Sequence, residues 1–176
     1  MCWPTGASCC AGAAVGEPFR HTLRVRYAEA DAQGVLFNAH YLAYVDHTVT
    51  ELWRAAFGGY ERMLARGVDI VVAEARLRFR AAARFDDEVT IELSVVRLGT
   101  TSLGTECRFL RGDELLAEAQ LRHVFVTGGT GEKTAVPDWA REGLARWTTG
   151  AALSGLAGGL SSATAAAGSS PPAAAG

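Results

Sequence analysis

The chain has 176 residues, 49% of them hydrophobic, enough for one domain with a substantial core and too few for two of ordinary size. A formal net charge of −2 and the lack of any long basic run give no support to non-specific nucleic-acid binding. No segment reaches the roughly 20 apolar residues of a transmembrane helix, so no membrane partner is expected.

Charge is unevenly placed. Residues 1–16 and 148–176 contain no Asp, Glu, Lys, Arg or His and consist largely of Ala, Gly, Ser, Thr and Pro. Such tails bury too little apolar surface to offset their ordering entropy and are expected to be disordered, leaving a domain over residues 17–147. Four cysteines, Cys2, Cys9, Cys10 and Cys107, have neither metal-ligand nor disulfide-framework spacing. Reduced thiols and a cytoplasmic setting follow as the expectation. The stretch Ala7–Cys10 has no basic and apolar regions before it, so no secretion signal is read there.

In chain order, Phe19 to Tyr27 alternates, with Phe19, His21, Leu23, Val25 and Tyr27 on one face: a strand with one wet side. A loop of small residues, AEADAQGVLFN, follows. From Ala39 the period changes, and Tyr41, Leu42, Val45, Val49, Leu52, Trp53 and Ala56 form the stripe of an amphipathic helix. Asn38 is the expected N-cap and Gly58-Gly59 the stop. Tyr60 to Arg66 adds a short helical turn.

Strands then follow one another. Val68 to Ala83 places Ala73, Ala75, Leu77, Phe79 and Ala81 opposite Glu74, Arg76, Arg78 and Arg80. Asp87–Leu98, Leu103–Phe109 and Glu114–Thr127 alternate in the same way, the last two joined through Arg111-Gly112-Asp113 as a hairpin. Pro137 to Trp147 reads as a short terminal helix. One strand, one long helix and four consecutive strands without crossover helices predict an α+β fold, a curved antiparallel sheet wrapped round one central helix.

The run YAEADAQGVLFNAHYLAYVD resembles the signature of the 4-hydroxybenzoyl-CoA thioesterase-like family of hotdog proteins. Asp31 lies three residues before Gly34; Val35 to Phe37, Asn38 and Tyr41 then follow in the family's order. Thr50-Glu51, the RLGTTS segment Arg97–Ser102 and the strand LAEAQLRHVFV match as well, so that the resemblance spans Phe19 to Trp147. It implies a hotdog fold, hydrolysis of an acyl-CoA thioester without a cofactor, and a homodimer or homotetramer with sites at the subunit interface.

The resemblance also implies roles. Asp31 is the catalytic carboxylate, as base or nucleophile, and the Asn38 backbone N–H polarises the thioester carbonyl, leaving the Asn38 side chain as a cap or water holder. Gly34, Val35, Phe37, Arg97, Thr100 and Ser102 line the substrate; Arg80 and Arg84, which the resemblance does not assign, are candidates for the phosphates. The chemistry agrees: a helix N-terminus carries unpaired N–H groups and partial positive charge suited to an oxyanion. Asp46 is the alternative carboxylate, and His47 with Glu51 could form a metal pair, but no third ligand is evident and no metal is expected. His123 is expected to be a packed, hydrogen-bonded core residue and Cys107 a buried one. Phe37, Tyr41, Trp53 and Phe57 could line a pocket, with a place in the core favoured. The alternatives are a non-catalytic acyl-binding subunit and a hydrolase of acyl carrier protein thioesters.

Overall fold

The computed structural model describes residues 16–149. The tails expected to be disordered therefore lie outside the described residues, apart from Gly16, Thr148 and Thr149. The elements are β1 (Phe19–Arg24), a 3-10 turn (Tyr27–Glu29), α1 (Asn38–Phe57), α2 (Tyr60–Ala65), β2 (Val68–Phe79), β3 (Glu88–Leu98), β4 (Ser102–Arg111), β5 (Glu114–Thr127) and α3 (Asp138–Leu144). The strands form one antiparallel sheet in the order β1-β3-β4-β5-β2, which leaves β1 and β2 as its edges. This is the α+β architecture expected from the strand–helix–strand periodicities.

Strand alternation gives the sheet two unlike faces. The row Phe19–Leu93–Cys107–Ala119–Leu77 crosses all five strands and points inward. The neighbouring row Arg20–Glu92–Arg108–Glu118–Arg78 points outward and alternates in sign. Side chains on that face pair with one another, Glu92 with Arg20 and Arg108, and Glu118 with Arg80. Exposed pairs of this kind stabilise little individually but keep the outer face wet.

α1 lies across the inner face. Its buried side are Tyr41, Tyr44, Val45, Thr48, Val49, Leu52, Trp53 and Phe57. Leu42, expected in the stripe, is instead 41% exposed, because the true seam runs one residue round the helix through Tyr44 and Thr48. The Thr48 hydroxyl donates to the Tyr44 carbonyl at 2.8 Å, which is how a polar side chain sits in the seam without an orphaned group. Aromatic edges fasten the helix to four strands: His47 on His21, Tyr41 on Phe79 and Phe109, and Trp53 on His123. Cys107, Ala117 and Ala119 are small and fully buried on the inner face. α1 stops at Gly58, whose φ of +80° is left-handed, as its N–H and that of Gly59 turn back to the Arg54 and Trp53 carbonyls.

Two expectations at the start of the chain change. β1 ends at Arg24, where its partner β3 begins at Glu88, and Tyr27 is 82% exposed rather than inward-facing. α1 begins at Asn38 itself, with Phe37 as the N-cap and no side chain capping the helix. Phe37 takes that place because its N–H is held by the Glu29 carbonyl at 2.9 Å, keeping it extended.

His123 is buried as expected, yet its Nδ1 has no hydrogen-bond partner among the described residues. Burial depresses its imidazole to about 4, against an ordinary value of 6.5. The unfolded chain takes up this proton near pH 6.5 while the native chain does not until about 4, so stability falls as pH drops through that window. The loss amounts to roughly 3 kcal/mol. Denaturant melts should show His123→Leu losing less stability than the wild type between pH 6.5 and pH 4. Equal losses would refute the assignment.

Candidate active site

The loop between the 3-10 turn and α1 is a small closed hairpin. Ala30 bridges Leu36, the Asp31 N–H donates to the Val35 carbonyl at 2.9 Å, and the Gly34 N–H donates to the Asp31 carbonyl at 2.9 Å. So tight a reversal needs a left-handed residue, and Gly34 supplies it with φ +74°. The outgoing arm is braced from outside, as Val35 bridges Arg84 and the Leu36 N–H donates to the Ala83 carbonyl at 2.8 Å.

This geometry orients Asp31. Its Oδ1 accepts the Gln33 N–H at 2.8 Å and the Val35 N–H at 3.4 Å. Its Oδ2 accepts no hydrogen bond from the described residues and is left for other chemistry. The base of the hairpin is equally constrained. Glu29, 3% exposed, accepts the Tyr44 hydroxyl at 2.6 Å, the Arg26 N–H at 2.8 Å and the Arg26 Nε at 3.0 Å. Burial opposes the Glu29 charge, but the hydrogen bonds from Arg26 and Tyr44 outweigh it and hold the carboxyl at about 2. Burial and the adjacent carboxylate push the Tyr44 phenol upward.

Asp31 opens onto a cavity of about 450 Å³ lined by Gln33, Val35, Leu36, Phe37, Asn38, Tyr41 and the segment Phe79–Ala82. Asp31, Val35, Phe37 and Asn38 are thus brought together, while Gly34 shapes the turn behind them. At the start of α1 the His40 N–H turns back to the Phe37 carbonyl at 2.9 Å. The N–H groups of Asn38 and Ala39 have no backbone acceptor among the described residues, as expected of a first helical turn. Asp31 and Asn38, the first residue of α1, therefore border one cavity. Tyr41 is buried, its hydroxyl accepting the Ala83 N–H at 3.2 Å, whereas Phe37 and Phe79 are 45% and 51% exposed at the rim. Trp53 and Phe57 belong to the core.

Arg97, Thr100 and Ser102 are not at this cavity. They lie on the β3–β4 turn, where Ser102 pairs with Val124, while Phe79 at the cavity pairs with Ala117. Seven residues of β5 separate those points, roughly 23 Å at strand rise. The Thr100 and Thr101 carbonyls accept the Val136 and Phe125 N–H groups, and Arg141 donates to the Gly99 carbonyl at 2.6 Å, so the turn is strapped in place. Arg80 lines the cavity and pairs with Glu118, whereas Arg84 makes no ion pair among the described residues. Asp46 is exposed and does not line the cavity, and Glu51 pairs with Arg54. His47 packs on His21, and no group of three metal-ligating side chains occurs among the described residues. Burial raises the Cys107 thiol to about 12, which removes it as a nucleophile.

A larger depression of about 570 Å³ lies on the outer face among Arg76, Arg78, Glu106, Arg108, Glu118 and Gln120. Most of those groups are already paired across the strands, so it offers no free reactive centre.

The hairpin geometry predicts that Gly34→Val destabilises the protein by about 1–2 kcal/mol and lowers turnover, through strain in a left-handed residue. Open space surrounds that position, so Gly34→Asn should keep most of both. Thermal melts and steady-state rates of the two variants check this. An equal effect of both would refute the backbone explanation.

Comparison with known proteins agrees with this geometry. Residues 25–144 match the thioesterase-like superfamily. An acyl-CoA thioester hydrolase of Escherichia coli O6:H1 is 32% identical over 109 residues, covering 61% of this chain and 81% of the relative. A hypothetical protein from Thermus thermophilus superposes with a TM-score of 0.67 at 32% identity, covering 73% of this chain and 98% of that one. The dynemicin thioesterase superposes with a TM-score of 0.70 at 24% identity, covering 76% and 99%. The chain belongs to the thioesterase-like superfamily and is a hotdog-fold thioesterase.

Proposed function

We propose that the protein hydrolyses acyl-CoA thioesters, with Asp31 as the catalytic carboxylate and the N-terminus of α1 as the oxyanion site. The observation that carries this reading is the shared cavity, bordered by Asp31 and by Asn38 at the start of α1. A thioester carbonyl placed against the Asn38 and Ala39 N–H groups gains polarisation where negative charge develops. The free Oδ2 of Asp31 either takes a proton from a water as that water attacks the carbonyl carbon, the proton passing to the departing sulfur, or attacks the carbon itself. The direct attack expels a CoA thiolate that is protonated by solvent and leaves an anhydride that water cleaves to the free acid and the Asp31 carboxylate. The activity of the Escherichia coli relative supports acyl-CoA as the substrate.

The reading includes a homodimer. β2 is an edge strand with Val71, Val72 and Phe79 45–52% exposed. Edges of this kind invite pairing with another chain. A twofold axis through the middle of β2 would exchange the two ends of the sheet. It would bring a second copy's Arg97, Thr100 and Ser102 towards the cavity that holds Asp31, giving both halves of the substrate-binding set a place at one site.

Thiol release from a panel of short, long and aromatic acyl-CoAs tests the chemistry. Asp31→Asn should lower kcat at least about a hundredfold while leaving the fold intact. Wild-type turnover by that variant, or no turnover of any thioester by the wild type, would refute the proposal. For the assembly, Val72→Lys should convert a dimer to monomers in light scattering and abolish turnover together with it. A wild type that is monomeric and active would exclude the shared site.

A further inference from the structure

Glu29 is an almost fully buried acid two residues before Asp31, and the chemistry above gives it no part. Every hydrogen-bonding group it owns is engaged. Its N–H donates to the Arg26 carbonyl at 3.0 Å, and its carbonyl accepts the Phe37 N–H at 2.9 Å. Its carboxylate takes the Tyr44 hydroxyl at 2.6 Å, the Arg26 N–H at 2.8 Å and the Arg26 guanidinium at 2.5 and 3.0 Å.

Those contacts join three parts of the site. Phe37 is the N-cap of α1, so the Glu29 carbonyl ties the base of the hairpin to the beginning of the helix. Tyr44 stands on the second turn of the same helix, so the carboxylate ties that base to the helix body as well. Directly above this double tie come the Ala30–Leu36 bridge and then the Asp31–Val35 hydrogen bond. The separation of the Asp31 carboxylate from the N–H groups of Asn38 and Ala39 is therefore referenced through one residue.

We propose that Glu29 is a positioning residue for thioester hydrolysis, setting Asp31 against the N-terminus of α1 by anchoring the hairpin base to Tyr44 and Arg26. The proposal rests on the reading of Asp31 as the catalytic carboxylate. A neutral amide of the same shape replaces the carboxylate poorly. One Glu29 oxygen accepts both the Tyr44 hydroxyl and the Arg26 N–H, so an NH₂ group there would meet the backbone donor. An NH₂ group at the other oxygen would meet the Arg26 guanidinium and lose the ion pair. The hairpin would then shift relative to the helix, and a displacement of about 1 Å in such a site costs turnover on the order of a hundredfold.

The test compares the full-length wild type with Glu29→Gln, Tyr44→Phe and Asp31→Asn on one acyl-CoA, with competent sites counted by titration with a non-hydrolysable S-alkyl-CoA thioether. Glu29→Gln is expected to lose about 10- to 100-fold in kcat, and Tyr44→Phe several-fold, since it gives up one of the ties. Both should bind the thioether with the wild-type stoichiometry and a Kd within about twofold, because groups that only orient the attack contribute equally to ground-state binding. Wild-type kcat in either folded variant overturns the proposal. So does a loss of binding sites in proportion to the loss of turnover, which marks a purely structural role. If Glu29→Gln does not fold, Tyr44→Phe decides alone by the same two criteria. Full turnover by Asp31→Asn would instead overturn the reading beneath the proposal, whatever the Glu29 variants do.

Discussion

The candidate site depends on how firmly the core holds α1. Tyr41, Val45, Val49, Leu52 and Trp53 of α1 are buried in one core with inner-face strand residues that include Cys107, Ala117 and Ala119. Cores packed to this density do not allow a helix to slide. The first turn of α1 is consequently held in place by burial several turns further along, and its unpaired N–H groups arrive preoriented. That is the property an oxyanion site requires, since donors already in place need no reorganisation when charge develops.

A preoriented helix end is useful only if the acid beside it is equally constrained, and the chain meets this need locally. Seven residues, Ala30 to Leu36, close on themselves through backbone hydrogen bonds around Gly34. The Asp31 side chain contributes to its own turn through one oxygen and leaves the other free. The same carboxylate thus has one oxygen bound into its turn and one without a partner among the described residues, as its proposed role requires. The turn also explains why the helix lacks a side-chain cap: with Phe37 held extended by Glu29, Asn38 enters the helix as its first residue and its side chain is released from capping.

Much of this was legible in the sequence because the decisive contacts are near neighbours. Asp31, Gly34, Val35, Phe37 and Asn38 fall within eight positions, and one-sided burial writes periods of two and of 3.6 into β3, β5 and α1. What was not legible depends on partners. The length of β1 is set by where β3 begins, not by the alternation that continues to Tyr27. The seam of α1 runs through Tyr44 and Thr48 because a phenol and a hydroxyl find acceptors there, in Glu29 and in a carbonyl, and hydrophobicity alone favours Leu42. Phe79 to Ala82 reach the cavity from the far end of β2, more than 40 residues downstream, with no local motif to announce them. Glu29 had a weak signal, an Arg three residues before it, but only the fold shows that its carboxylate is buried and held by Tyr44 as well.

The sheet register carries the argument one step further. Within a single chain the Asp31 hairpin and the Arg97–Ser102 turn stand at opposite ends of β5. Each is nevertheless built firmly, the first by Glu29 and the bridge to Arg84, the second by Arg141 and the Val136 N–H. Two such features at opposite ends of a sheet would be brought to one site by the proposed addition of a second sheet antiparallel along the open edge. In the proposed dimer the exposed apolar side chains of β2 therefore have two consequences at once. They close an edge that would otherwise invite uncontrolled pairing, and they complete a site of which each chain holds half.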